Sequence, residues 1–519
     1  MLRFTTKGWR ISWERTRQRN KKSINDAFDF IVAACVSTVM LCGWLLTSEI
    51  LLHWFVVPVF VCGVLIGADG VAWVRRRLDL FDPVGLVGAY GYYFFFVAPL
   101  LTVAWKYHSP WFPEPPDWRN WIGWMAVINC AGLIVYRIAR AFLQERAPAK
   151  TWKLDRGRLV RAMMVALPIS VAMQIYIFVR FGGIWGFMQS FSQGNQAFEG
   201  MGWQFVIADP LPYLLATLVL VRYRPALRRA PWIMIAGFIV AFFLLKLVFG
   251  GLRGSRSSTV WGLFWLLGAI HFWIKPVPRK IVVVGVSFLL AFMFVYGFYK
   301  AQGIEAFDTL RSRETTQDAA LKTGRTLDTT LLADMARTET QAYLLYRLQS
   351  VQLYDYVHGT TYASAFSIFV PKSLRPEWLP SKVQAGTDAL YGRNSYRPST
   401  FAASRVYGLA GEAMLNFGPW FAPAAFVFLA YAVVKVRAVM NLHRDDVRLL
   451  MLPFLVNGSM LIVSSDLDNL VVFLVMTAFA TSMVLALSVA PARTFANFRR
   501  RRELEATVNL HPLSPDPRT

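Results

Sequence analysis

The chain has 519 residues, of which 55% are hydrophobic and only 17% charged, and its mean hydropathy is positive. A soluble chain carries roughly a quarter charged residues, so this composition excludes an ordinary soluble globular protein. The net charge of +24 would suit a nucleic-acid binder. Its basic residues fall instead in short connections between apolar runs, where they orient a membrane protein, and no nucleic-acid motif accompanies them. No nucleic-acid partner is expected.

Eight Lys or Arg precede the first apolar run near Phe28. A cleaved signal peptide has a shorter charged region and a small-residue cleavage site, so a retained signal-anchor is expected, with 1–27 a basic cytoplasmic N-terminus. A helix needs about 20 apolar residues to cross a bilayer. Runs near 28–47, 50–74, 84–105, 121–143, 160–180, 204–221, 231–249, 257–274, 281–299, 408–434, 449–465 and 469–490 predict an all-α polytopic membrane protein of about twelve transmembrane helices. Spans one to nine fall within 28–299 and spans ten to twelve within 408–490.

The connections test that count, because cytoplasmic loops are enriched in Lys and Arg. With the N-terminus inside, the inner connections hold Arg75 to Arg77, then Arg146 to Arg158, then Arg222 to Arg229. They continue with Lys275 to Lys280, Lys435 to Arg448 and Arg499 to Arg502. The short outer connections hold very little. A miscounted span would spoil the alternation downstream, so both termini are expected in the cytoplasm, with 491–519 a disordered tail.

Residues 300–407 form the one long connection, placed outside by the phase count, with 13 Lys or Arg and 10 Asp or Glu. Long loops escape the charge rule and are usually functional. Leu331, Met335, Ala342, Leu345 and Leu348 share one helical face, which predicts a helix over about 326–353. Pro371 to Pro380 reads as a turn, and the whole as a small, mostly helical subdomain on the membrane surface. All four cysteines lie in apolar runs, so no disulfide is expected in this loop.

Charges beside or within apolar spans are selected against unless they are used. Arg253 and Arg256 lie in the Gly-rich outer turn Gly250 to Ser258. Arginine offers a planar fork for a diphosphate, and glycine lets the backbone approach the same anion. Arg180, ahead of Gly182-Gly183, is a further anion candidate or a snorkelling side chain. Arg405, Glu412 and Asn416 fall on one helical face at the start of the tenth predicted span. Glu412 is either an ion-pair partner of Arg405 or a general base made more basic by partial burial. Arg393, Arg397 and Arg375 lie upstream, and His358 is the only histidine of the loop. Asp209-Pro210 suits the cap of a broken helix or a contact with a polar substrate. Asp466-Leu467-Asp468 is explained by helix capping, so no metal is expected.

Phe81-Asp82-Pro83 with the aromatic run Tyr92 to Phe96, the turn Gly251 to Arg256, and Phe369 to Pro376 in the large late loop combine with Gly411-Glu412-x-x-x-Asn416-Phe417-Gly418. With this order of parts the chain resembles the O-antigen polymerase, or oligosaccharide repeat-unit polymerase, family of bacterial inner membranes. The resemblance implies a GT-C-like membrane glycosyltransferase with a large periplasmic loop and no cofactor. Its substrates would be glycans on polyprenyl diphosphate within the membrane lipid, and its partners a flippase and a chain-length regulator. It implies Arg253, Arg256, Arg397, Arg405 and Arg180 as diphosphate ligands, Glu412 as base and His358 as the alternative base. The chain lacks the paired Arg-x10-Gly loops of better-studied members. An O-antigen ligase shares this layout, whereas a transporter would show paired halves and little extramembrane mass.

Overall fold

A computed structural model describes residues 6–490, apart from 110–111, 147, 149, 193–197, 199, 252–255, 303–325, 327, 352–353, 371–375, 377–378 and 398–399. The described residues are helical, with only isolated β-bridges at Leu154–Val489 and Arg397–Phe401. In chain order, α1 is Thr6–Thr47, α2 Val56–Val74, α3 Pro83–Ala104, α4 Trp118–Phe142 and α5 Arg156–Arg180. Next come α6 Gly183–Ser192, α7 Gly202–Arg222, α8 Trp232–Val248, α9 Ser257–Ile274 and α10 Arg279–Gln302. The long connection carries α11 Thr338–Tyr346, α12 Thr360–Ala365 and α13 Lys382–Tyr391. The chain then returns through α14 Gly408–Phe417, α15 Pro419–Met440, α16 Leu452–Ser464 and α17 Leu467–Leu487. Nine of the described helices are long and apolar enough to cross a membrane, and α8 and α16 are shorter apolar helices. This is an all-α membrane protein.

Local chemistry explains the boundaries. Asp82 accepts the Val84 N–H (2.9 Å) ahead of Pro83, so α3 starts with a capped end and a residue that lacks the unneeded N–H. Asp155 opens α5 by accepting the N–H groups of Gly157 and Arg158. α2 and α3 approach through glycines: a methyl group on Gly88 would lie 2.6 Å from the Gly70 nitrogen. Small residues permit this contact between helices whose outer faces gain nothing from mutual burial in lipid. Leu46, Phe142 and Trp420 project outward, each more than four-fifths exposed, as side chains facing hydrocarbon can.

The basic connections assigned to one side are bonded to one another. Arg77 pairs with Asp26, Arg279 donates to the carbonyls of Trp73 and Val74, and Arg437 pairs with Asp82 and Glu145. Arg224 pairs with Asp445, and the Val447 and Ala490 N–H groups donate to Trp152 and Lys153. The opposite set is joined too: Arg119 donates to Ile50, and Trp54 to Asn120. These bonds join connections that the charge pattern groups together.

Two expectations change. The run 408–434 is interrupted: α14 ends at Gly418, whose φ is 86°, and the apolar span begins at Pro419. A positive φ stops the helix, and the proline that follows supplies no N–H to continue it. The helix expected over 326–353 exists in pieces, as π turns Thr329–Met335 and Arg347–Val351 flanking α11. α11 packs against α4 and α14, burying Ala342, Leu344, Leu345 and Gln341. The Pro371 to Pro380 turn lies largely outside the described residues, as do 303–325 of the loop and the tail 491–519.

Candidate functional site

Where α14 meets the long connection and the α16–α17 turn, a cavity of about 630 Å³ opens. Its lining is largely apolar, with Phe417, Phe421, Phe428, Ile462 and Leu470, and it also includes Glu412, His358 and Asp466. Phe421 and Phe428 are also exposed on the outer face of the bundle.

Two backbone ends build the polar corner. The first turn of a helix has N–H groups with no partner inside the helix. Asp466 Oδ1 accepts the N–H groups of Tyr407 and Gly408, both at 2.8 Å, and so holds the start of α14. Gln341 donates to the Tyr407 carbonyl (2.7 Å), tying α11 to the same point. Gly386 leaves room for the Tyr407 ring, since a methyl group there would overlap its hydroxyl.

Glu412 is buried one turn further on. Its Oε1 accepts the Thr361 hydroxyl (3.1 Å) and its Oε2 the Leu467 N–H (2.6 Å). Asn416 Nδ2 donates to the Thr361 oxygen (2.7 Å) and to the Glu412 carbonyl (2.8 Å). The Asn416 side-chain and main-chain oxygens receive the N–H groups of Gly359 and His358. His358 and Gly359 both have positive φ, so the turn carrying the histidine is clamped onto the end of α14 and sets His358 at the cavity rim.

A charged trio sits behind this arrangement. Lys382 Nζ lies 3.0 Å from Asp466 and 3.5 Å from Asp468, with the Lys382 and Asp466 side chains almost wholly buried. Burial alone would lower the lysine pKa, but the two carboxylates hold it above the ordinary value, so it stays charged. Glu412 precedes the apolar span, and there burial, then the Asp466 charge, push its carboxyl up to about 8. A carboxyl raised that far keeps a proton near neutrality and can exchange it with a ligand in the cavity.

The structure therefore brings Glu412 and His358 together. Arg180 is exposed at the end of α5, and Arg397 is exposed and folds back on its own turn, donating to the carbonyls of Asn394 and Tyr396. Neither lines the cavity. Arg405 is half-buried in the segment leading into α14. Glu412 is held by Thr361 and the Leu467 amide rather than through the suggested Arg405 partnership. Arg253 lies outside the described residues, and Arg256 opens the helix of which α9 is the apolar part, its side chain also outside them. Asp466 does not cap its own helix by its side chain but the neighbouring α14.

Lys382 escaped the sequence reading, although one signal was present. It is the first residue of α13, behind the N-cap Ser381. A cation there opposes the helix dipole and needs a partner elsewhere. Fold and site together define a helical membrane protein with a buried carboxylate facing a largely apolar cavity. Compared with known families, curated proteins and solved structures, the chain matches none of them.

Proposed function

We propose that this chain is a glycosyltransferase that polymerises polyprenyl-diphosphate-linked oligosaccharide repeat units on the outer face of a bacterial inner membrane. The supporting observation is the cavity, which sets an apolar, aromatic wall beside the Glu412–His358 corner where the long connection meets the bundle. A ligand with a long hydrocarbon part and a polar head matches both halves. In this reading α8, α10 and α16 join the nine candidate spans to give twelve, in a GT-C-like arrangement with both termini cytoplasmic.

The proposed step uses side chains alone. Glu412, as carboxylate, takes the proton of an acceptor sugar hydroxyl, and that oxygen attacks the anomeric carbon of the donor. The bond from the anomeric carbon to the diphosphate oxygen breaks, and its electron pair leaves on polyprenyl diphosphate. Arg405, Arg253 and Arg256 are the cations assigned to the leaving group, where fixed positive charge counters the developing negative charge. A flippase and a chain-length regulator are the partners this role implies.

His358 at the cavity rim favours a second reading, in which the same site hands a finished glycan to a final acceptor. Deleting the gene and sizing lipid-linked and surface glycans separates the two. Single repeat units on the final acceptor support polymerisation. Long chains retained on the lipid carrier support the ligase reading, and unchanged glycans would remove both.

A further inference from the structure

A second cleft, of about 740 Å³, lies among the basic connections rather than at the Glu412 corner. Arg77, Arg228, Lys275, Arg437 and Arg444 line it against the carboxylates Asp79, Asp82 and Glu145. We propose that this cleft binds a phosphate-bearing anion.

The carboxylates of the cleft are already engaged. Arg437 lies 3.0 Å from Asp82 and 2.8 Å from Glu145. His271 Nδ1 accepts the Val277 N–H, so the ring proton is on Nε2, which donates to Asp79 at 3.1 Å. Asp445, next in sequence to Arg444, is taken by Arg224 at 2.8 Å, and Arg224 also lies over the Trp273 ring. Arg228 and Arg444 are exposed at the cleft, and Lys275 donates to the Ala230 carbonyl and lies over the Trp232 ring, with no carboxylate partner among the described residues.

Arg77 is engaged by Asp26 and Asp29, and Arg437 by Asp82 and Glu145, so the cations open to a ligand are Arg228, Lys275 and Arg444, whose field the cleft concentrates. A phosphate group counters that charge and accepts the arginine forks in pairs. Phe272, Ile274, Met440 and Leu442 add an apolar side to the cleft. A lipid headgroup and a free phosphate compound present the same chemistry here.

The test uses full-length protein in neutral detergent and follows its thermal unfolding. The probes are inorganic pyrophosphate, dioctanoyl phosphatidylglycerol and, as a neutral control, dioctanoyl phosphatidylcholine. A ligand that binds only the folded state raises the midpoint with concentration. Arg228 and Arg444 are exposed, so Arg228→Gln/Arg444→Gln is expected to fold normally. The proposal predicts stabilisation by at least one anionic probe, reduced by half or more in the double variant. Stabilisation by phosphatidylglycerol alone identifies a lipid headgroup, and stabilisation by pyrophosphate identifies a free anion. No stabilisation beyond the neutral control, or equal stabilisation of the double variant, overturns it. Because Glu412 and its cavity are untouched, this outcome is separate from that of the polymerase reading.

Discussion

At the scale of single residues the account turns on one proton. Glu412 accepts from Thr361 and from the Leu467 amide, and its carboxyl is raised to about 8 by burial and by Asp466. A base must be deprotonated to act, so the transfer rate should climb with pH through about 8 and level off above it. Glu412→Gln keeps the shape and removes the base, and its rate should fall by about 10²–10⁴-fold with the unfolding midpoint little changed. A rate unaffected by the substitution, or flat between pH 6 and pH 9, would contradict the assignment. For stability the sign is opposite. A carboxyl whose pKa is raised by folding binds its proton more tightly in the native state, so stability declines as pH rises from the ordinary carboxylate range to about 8. Lys382 carries a different prediction. Lys382→Met strands the buried Asp466 charge, which should cost about 3–5 kcal/mol, and adding Asp466→Asn should recover part of that loss. Equal unfolding midpoints for the single and double variants would show that the pair does not hold α13 to the α16–α17 turn.

At the scale of elements, the break between α14 and α15 decides where the cavity opens. Gly418 has a φ of 86°, and a methyl group there would meet the Tyr356 ring at 3.1 Å. Gly418→Ala should therefore destabilise the protein by about 1 kcal/mol or more, since both the backbone and the ring must yield. Thermal unfolding measures this, and an unchanged midpoint would mean that the junction tolerates another conformation. The break was legible: glycine followed by proline is a stop signal, but apolar character continues across it and hid the interruption inside one long run. Helicity between 326 and 353 was visible in the spacing of apolar residues. Its π turns and its packing on α4 were not, because periodicity reports which face is buried and not what buries it. Glu412 and Asn416 were found because polar groups at a helical spacing stand out in an apolar stretch. Their contacts with Thr361, Gly359 and Leu467 join distant segments, and no local pattern encodes such pairs.

For the whole molecule, the proposed two-sided arrangement rests on the charge alternation and on bonds among the connections. Arg77 with Asp26, Arg437 with Glu145 and Arg224 with Asp445 join connections that the alternation placed together. Single cysteines in a background without the four native ones check this arrangement in intact cells. Positions near Arg146, Arg228 and Arg444 should resist a membrane-impermeant maleimide, and positions near Lys106, Asn394 and Asp468 should react. A mixed pattern within either set would break the proposed topology.

The most direct measurement of the central claim is transfer by the protein alone. Purified chain in proteoliposomes would be supplied with one polyprenyl-diphosphate-linked repeat unit from its host. A ladder of products differing by one repeat, formed with matching release of polyprenyl diphosphate and lost in Glu412→Gln, is the predicted result. Substrate left at a single repeat by folded wild-type protein, or a ladder undiminished in Glu412→Gln, would contradict the account.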